Sequence, residues 1–516
     1  MYPGFYAEKD PAKPAVVLCP AGERVSYGSL EARSRQFARV LRARGLRPGD
    51  TVALLAENHA RYLEVYWAAI RSGLYLTAVN WHLTAAEAAH LLGDSAARVL
   101  VTTARFTDLA RTAADLSPTC STLLLLDGTE DGFESYEEVI AAQSAAPLAD
   151  QPAGDVMLYS SGTTGRAKGI RRPLSDLQVD QPGRPSASPM AKAFLGIGED
   201  STYLTPAPLY HAASLHWAAG AHELGATLVI MDRFDAEQML AVIEKERVTH
   251  AQVVPTMMIR LLKLPAEVRT RYDVSSLRSL THAGAPCPPA IKRQMIDWLG
   301  PIVDEYYSST EGSGMTFIGS ADWLAHPGSV GRTIIGTPHI CDDNGRELPV
   351  GEPGLLYFDR GTEHFEYHND PEKTREGRHP KHPTWTTSGD MGYVDTDGYL
   401  YLTDRKSFMI ISGGVNIYPA EIEAALILHP AITDVAVFGL PHADMGEYVH
   451  AVVQPTDGVD ATPELAEQIR AFARDHLAGY KVPRAITFRD QLPRMSTGKL
   501  AKNALRQEYL GAALPR

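Results

Sequence analysis

The amino-acid sequence predicts an α/β fold, and three observations lead there. Continuous apolar runs of strand length recur before residue 330: "TVALLAEN", "ARVLVTT", "TLLLLD", "ATLVIM", "THAQVVP" and "SLRSLTHAG". Amphipathic stretches of helical period alternate with them, the pattern of a mainly parallel sheet covered on both faces. At 516 residues the chain also exceeds what one hydrophobic core sustains, so a second folding unit is expected.

In chain order, residues 29–45, "SLEARSRQFARVLRARG", set Leu30, Phe37 and Leu41 on one helical face, and Gly45 stands where such a helix stops. The buried strand "TVALLAEN" follows, then a second helix in "ARYLEVYWAAIRSG". Residues 173–191, "PLSDLQVDQPGRPSASPMA", have the composition of a loop. Beyond about residue 330 the texture turns to short segments and turn pairs, and Asp397-Gly398 between "MGYV" and "YLYL" signals a hairpin. A smaller α+β unit closes the chain, with strands "ITDVAVFGL" and "EYVHAVVQP". Its helix "PELAEQIRAFARDHL" opens near Pro463 and stripes Leu465, Ile469, Phe472 and Leu477. The boundary falls near Asp404, dividing 1–403 from 404–516, and no internal repeat is visible.

Composition narrows the function. Hydrophobic residues at 44% and charged residues at 22% are globular values. The 49 basic and 62 acidic residues give −13 with no long basic block, which excludes nucleic acid as the main partner. The apolar runs are shorter than the ~20 residues that span a bilayer. The start "MYPGFYAEKDPAKP" lacks a secretory pattern, so a soluble cytoplasmic protein is expected. Cys19, Cys120, Cys287 and Cys341 are isolated, as thiols in a reducing compartment would be. Four of the 18 histidines fall in "EHFEYHNDPEKTREGRHPKH", where prolines and charges predict a solvated loop and no HExxH spacing points to a metal.

The densest punctuation is "YSSGTTGRAKGI", Tyr159 to Ile170. Glycines let a backbone approach a ligand, hydroxyls and free N–H groups donate to phosphate oxygens, and a lysine adds charge, so the composition suits a polyphosphate. Gly162, Gly165 and Lys168 come at three-residue intervals, which rules out a Walker A loop. Composition alone leaves open both a phosphate cradle and a bare flexible loop.

Four segments in fixed order decide between them: "YSSGTTGRAKG", "YYSSTEG", "SGDMGYVDTDGYLYLTDRKSFMIISGGVNIYPAEIE" and "PRMSTGK". Together they resemble the core motifs of the adenylate-forming superfamily, over nearly the whole chain, and "SGGVNIYPAEIE" is most similar to its CoA-ligase branch. The resemblance implies a β-barrel-like part beside the parallel sheets and a small mobile C-terminal domain hinged at Asp404. It also implies ATP, Mg²⁺ and CoA as cofactors and an ATP-dependent acid:CoA ligase, forming acyl-AMP and then a CoA thioester. The alternative is a stand-alone adenylation enzyme that loads a carrier protein. The partners are the small-molecule acid, ATP and CoA, with a homodimer left open.

Carried over by motif, Ser160, Ser161, Gly162, Thr163, Thr164, Gly165 and Lys168 would surround the β- and γ-phosphates. Tyr307 would stack on adenine beside the backbone of Gly284, Ala285 and Pro286. Thr310 would contact the α-phosphate and Glu311 would hold Mg²⁺. Asp390 would accept the ribose hydroxyls, with Arg405 reaching the ribose or phosphates. Lys499 would be the adenylation lysine, exchanged on rotation for Gly413 and Gly414 along the pantetheine arm. His211 would stand between acyl pocket and CoA tunnel. Pocket candidates include His216, Trp217, Thr256, His282 and Ala283, read as an apolar, roomy site for a medium or long fatty, aryl or ring-bearing acid. The chain departs from the pattern at Ala167, which replaces a proline, and in "SGD", in Leu355 of "GEPGLLYF", in "DRGTEHFEY" and in "GIRRPL".

Overall fold

The computed structural model describes residues 2–160, 167–494 and 500–512. The large N-terminal unit is built on two sheets. In the first, strands Glu134–Ser135, Thr122–Leu125, Ala97–Thr102, Thr51–Leu55, Tyr75–Val79 and Asp155–Val156 lie in that order, every pair parallel. The second has nine strands. It is parallel from Val303–Ser308 through Ser279–His282, His250–Val253, Thr202–Thr205 and Thr227–Met231 to Pro14–Cys19. Antiparallel strands close its edges, Met315–Ile318 and Arg332–Ile335 on one side and Glu23–Ser26 on the other. Strands covered on both faces have no solvent side to make polar, which is why Thr51–Leu55 and Tyr75–Val79 are buried throughout.

The helix predicted at 29–45 spans Tyr27–Ala43, because Ser26 caps it by accepting the Ser29 N–H. It buries Leu30, Phe37 and Leu41 and ends before Gly45, whose φ of +80° few other residues adopt. Two sequence expectations are corrected. The stretch 173–191 is irregular only as far as residue 187, since Ser188–Leu195 is a helix with proline in its first turn. The histidine-rich run is mostly exposed or half-buried, as expected, but it is not all loop. It holds the short strand Glu366–Tyr367 and the helix Pro371–Glu376, capped by Asp370, and His379 is 3% exposed, its Nε2 donating to the Gly345 carbonyl at 2.9 Å.

Downstream of residue 336 an antiparallel sheet of five strands takes the place expected to be barrel-like: Thr337–Cys341, Gly354–Asp359, Asp390–Val394 and Leu400–Arg405, with Trp385–Thr386 beside Gly354–Asp359. The Asp397-Gly398 pair does form a hairpin, closed by the Asp395 carboxylate accepting the Asp397 and Tyr399 N–H groups. The smaller unit is a second five-stranded sheet whose long strands are Ile432–His442 and Gly446–Pro455. Helix Pro463–His476 buries Leu465 and Ile469 against it, whereas Phe472 and Leu477 are only half-buried at the edge of that core.

The four cysteines are free, and burial pushes the Cys120 thiol up to about 12. No helix among the described residues is long and apolar enough to cross a membrane. Within helix Ala212–Glu223, His222 is fully buried: its Nε2 donates to the Ala15 carbonyl at 2.8 Å and its Nδ1 accepts from Trp67 at 3.3 Å. Burial lowers this imidazole from 6.5 to about 4. Between those values the unfolded chain binds a proton that the folded chain refuses, so stability is full above pH 6.5 and falls as pH drops towards 4. We expect thermal unfolding to begin at a lower temperature at pH 5 than at pH 7.5, by scanning calorimetry. A His222→Gln variant, which keeps a donor and an acceptor, should show a shallower slope.

Candidate active site

The site begins where the glycine-rich segment meets the antiparallel strands. Leu158–Ser160 and Lys168–Arg171 pair as a hairpin with Ser160 opposite Lys168. Ser161, Gly162, Thr163, Thr164 and Gly165 lie outside the described residues. Glu366–Tyr367 adds a third strand to this hairpin, with Tyr367 opposite Ile170. The Lys168 ammonium sits 5.5 Å from the centre of the Tyr367 ring, and the Tyr367 hydroxyl donates to Glu311 Oε1 at 2.9 Å. One tyrosine therefore joins the phosphate-loop lysine to the "STEG" glutamate. Burial, then Lys373, lowers the Lys168 pKa, while burial and the Glu311 carboxylate raise that of Tyr367. Ala167, where a proline would be usual, packs beside this hairpin, and its carbonyl accepts from His90 Nε2 at 3.0 Å.

A second cluster forms where the two kinds of sheet abut. Strand Val303–Ser308 carries Tyr307, whose hydroxyl donates to Asp390 Oδ2 at 2.7 Å. Ser388 donates to the same oxygen at 2.9 Å, and Arg405 Nε donates to Oδ1 at 3.0 Å. Asp390 and Arg405 face each other because they are cross-strand partners in the hairpin, one at the start and one at the end. Burial alone would lower the Arg405 pKa, but Asp390, and more weakly Glu311, raise it. Glu311 is 8% exposed. Thr310 precedes it and offers its carbonyl to Arg172 Nη2 at 3.0 Å.

Gly284, Ala285 and Pro286 follow strand Ser279–His282 as an exposed strip, with Gly284 at φ +86°. His211 immediately precedes helix Ala212–Glu223, its ring 4.4 Å from that of Tyr210. His216, further along this helix, donates from Nδ1 to the Ala212 carbonyl at 2.7 Å. Trp217 packs against Tyr306 with ring centres 5.3 Å apart. His282 does not line a pocket: it is 0% exposed and lies 3.4 Å from Glu305, which pairs with the fully buried Lys292 at 2.7 Å.

At the junction of the units, Asp404 divides its carboxylate. Oδ1 accepts the Arg405 N–H at 2.7 Å, and Oδ2 accepts the Ala420 N–H at 2.9 Å, in the first turn of helix Pro419–Leu426. Gly413 and Gly414 link strands Ile410–Ser412 and Val415–Ile417, both at positive φ. The contacts of this hairpin run to its own unit, Gly413 N–H to Met445 and Ile411 N–H to Glu447, rather than to the Tyr307 cluster. Lys499 lies outside the described residues. The structure thus joins Lys168, Glu311, Tyr307, Asp390 and Arg405, and leaves Gly413 and Gly414 apart from them. Tyr367 went unnoticed in the sequence because a strand of two residues has no legible period.

A large α/β domain followed by a small α+β domain is the architecture that the resemblance to adenylate-forming enzymes implies. AMP-binding enzymes match residues 6–362, and their C-terminal domain matches residues 421–499. A feruloyl-CoA synthase of an Amycolatopsis species is 34% identical over 96% of this chain and 96% of its own. The fatty acid–[acyl-carrier-protein] ligase ScoC of Streptomyces coeruleorubidus is 32% identical over 98% of this chain and 95% of its own. Among solved structures, the anthranilate CoA ligase AuaEII in complex with anthranoyl-AMP superimposes with a TM-score of 0.85 at 25% identity, covering 99% and 98% of the two chains. ATP-bound MatB from Rhodopseudomonas palustris gives 0.80 at 31% identity, covering 99% of each. The chain belongs to the AMP-binding enzyme family.

Proposed function

We propose that this chain is an ATP-dependent acid:CoA ligase that releases AMP and pyrophosphate. The observation that carries the reading is the single site in which Glu311, tied to Lys168 through Tyr367, adjoins the Tyr307–Asp390–Arg405 cluster. In the first half-reaction a carboxylate oxygen of the acid attacks the α-phosphorus of ATP, the bond to pyrophosphate breaks, and acyl-AMP forms. In the second, a thiolate attacks the acyl carbonyl and AMP leaves. Two anions must meet in the first step, so held charge and position supply most of the help.

Tyr307 and the strip Gly284, Ala285 and Pro286 hold adenine, Asp390 accepts the ribose hydroxyls and Arg405 steadies it. Lys168, with Ser160 and the loop residues, takes the β- and γ-phosphates, and Thr310 takes the α-phosphate. The Glu311 carboxylate fits Mg²⁺: one oxygen receives Tyr367, and the other has no protein donor among the described residues. Bound there, the ion would neutralise phosphate charge. Lys499 draws the carboxylate to the α-phosphate, and the 404–516 domain then turns at Asp404 to bring Gly413 and Gly414 beside the pantetheine arm, with His211 at the passage. The aromatic pairs Trp217–Tyr306 and Phe194–Phe317 support an acid with an apolar, ring-bearing or extended body. Cytoplasmic placement belongs to the same reading.

Purified full-length chain with ATP, Mg²⁺ and CoA should release AMP on a graded panel of acids, and no AMP on any of them would overturn the assignment. Tyr367→Phe should lower kcat/KM for ATP roughly tenfold, since it removes one hydrogen bond to a carboxylate. The likeness to the carrier-protein ligase favours a second reading, loading of a phosphopantetheinyl carrier. Acyl-adenylate formed without turnover on free CoA, but transferred rapidly to such a carrier, would select it.

A further inference from the structure

Two segments that depart from the superfamily pattern, "GIRRPL" and "DRGTEHFEY", meet in the fold. Arg172, from the first, donates through Nη2 to the Thr310 carbonyl at 3.0 Å, and its Nη1 lies 3.4 Å from His216 Nε2. Arg360, from the second, donates through Nη1 to the Gly312 carbonyl at 2.7 Å. The two guanidiniums therefore hold the turn on either side of Glu311. Among the described residues no carboxylate comes within 4.0 Å of either, although neighbouring arginines are paired, Arg405 with Asp390 and Arg378 with Glu363.

The groups facing this pair do not offset its charge. His216 gives its Nδ1 proton to Ala212, so Nε2 is the acceptor turned to Arg172, and burial together with Arg172 lowers the ring to about 4, with Asp155 opposing more weakly. Burial and Arg360 lower His364 likewise to about 4. At neutral pH two cations stand close together beside two neutral imidazoles. Arg360 has spent one N–H group on a backbone carbonyl, and Arg172 one on a carbonyl and one on His216; the N–H groups left on each planar guanidinium can take a carboxylate. Arg172 also reaches helix Ala212–Glu223, which carries acid-pocket candidates, through His216, whereas Arg405 reaches Asp390.

We propose that Arg172 and Arg360 form a carboxylate-binding subsite of the acid pocket, so that the acid activated here carries a second carboxylate besides the one that joins AMP. The inference rests on the ligase reading and narrows its substrate to dicarboxylic acids. Nothing is consumed by this contact: the second carboxylate stays ionised and only orients the acid.

The test measures pyrophosphate release by the full chain with matched acids, benzoate against phthalate and isophthalate, and octanoate against octanedioate. In at least one pair the wild type should favour the diacid in kcat/KM by about tenfold or more, because a site built to bond a group discriminates against the analogue lacking it. Arg172→Gln and Arg360→Gln should each shrink that ratio by about tenfold, and Arg172→Lys should keep part of it. Arg360 is exposed, so its variant reports even where Arg172→Gln folds poorly. A wild type that prefers the monoacid in every pair, or a ratio untouched by both substitutions while both rates fall, would make the arginines struts for the turn and overturn the inference with the ligase intact. No adenylation of any acid would overturn the ligase reading and the inference together.

Discussion

Replacing Lys499 with alanine should cut acyl-adenylate formation by about 10²–10³, the usual cost of removing one group that stabilises developing charge, and should leave thiolysis of a supplied acyl-adenylate much less changed. The asymmetry follows from the proposed division of labour. Adenylation joins two anions and needs a cation between them. Thiolysis begins after that charge has left with pyrophosphate, and takes place with the 404–516 domain turned. Single-turnover pyrophosphate release measures the first half, and AMP release from synthetic acyl-adenylate with CoA measures the second. Equal losses in both would contradict rotation about Asp404.

Asp390→Ala is expected to have the other large effect, because three donors converge on this carboxylate: Tyr307, Ser388 and Arg405. Removing it strips the proposed ribose acceptor and leaves the half-buried Tyr307 hydroxyl without its partner, a cost of ~1 kcal/mol in stability. Affinity for ATP, read by calorimetry, should fall about a hundredfold, as expected for losing two charge-assisted bonds to the ribose diol. Asp390→Asn keeps one carbonyl acceptor and should lose less of both. A variant that binds ATP as the wild type does would remove Asp390 from the nucleotide site.

The parts of the chain legible from sequence are those whose causes are local. Thr51–Leu55 and Thr227–Met231 read as strands because burial on both faces leaves only apolar residues, and Tyr27–Ala43 reads as a helix because its stripe and its terminal glycine lie within one segment. Lys168, Tyr307, Glu311, Asp390 and Arg405 stood out because each lies inside a contiguous motif, although their meeting was visible only through the resemblance. What stayed hidden depends on partners far along the chain. His282 looked available beside "AGAP", yet its strand lies inside the nine-stranded sheet and puts the ring against Glu305. The link from Tyr367 to Glu311 spans 56 positions, and Arg172 reaches Thr310 across 138. Proline, charge and histidine in "EHFEYHNDPEKTREGRHPKH" suggested solvent, but Trp385 and Gly345, outside that run, supply the surface on which His379 and His382 pack.

The divided carboxylate of Asp404 sets a thermodynamic toll on the proposed turn. Tyr418, at the cap of helix Pro419–Leu426, supplies no side-chain bond, so the Ala420 N–H is satisfied by Asp404 from strand Leu400–Arg405. Any turn that parts Asp404 from Ala420 leaves a helix-end donor to be recaptured by water, at about 1–2 kcal/mol for such a contact. That is roughly a tenfold weighting between the two domain orientations. One oxygen atom, placed in contact with neither acid nor nucleotide, would thus bias the proposed turn towards the orientation seen here.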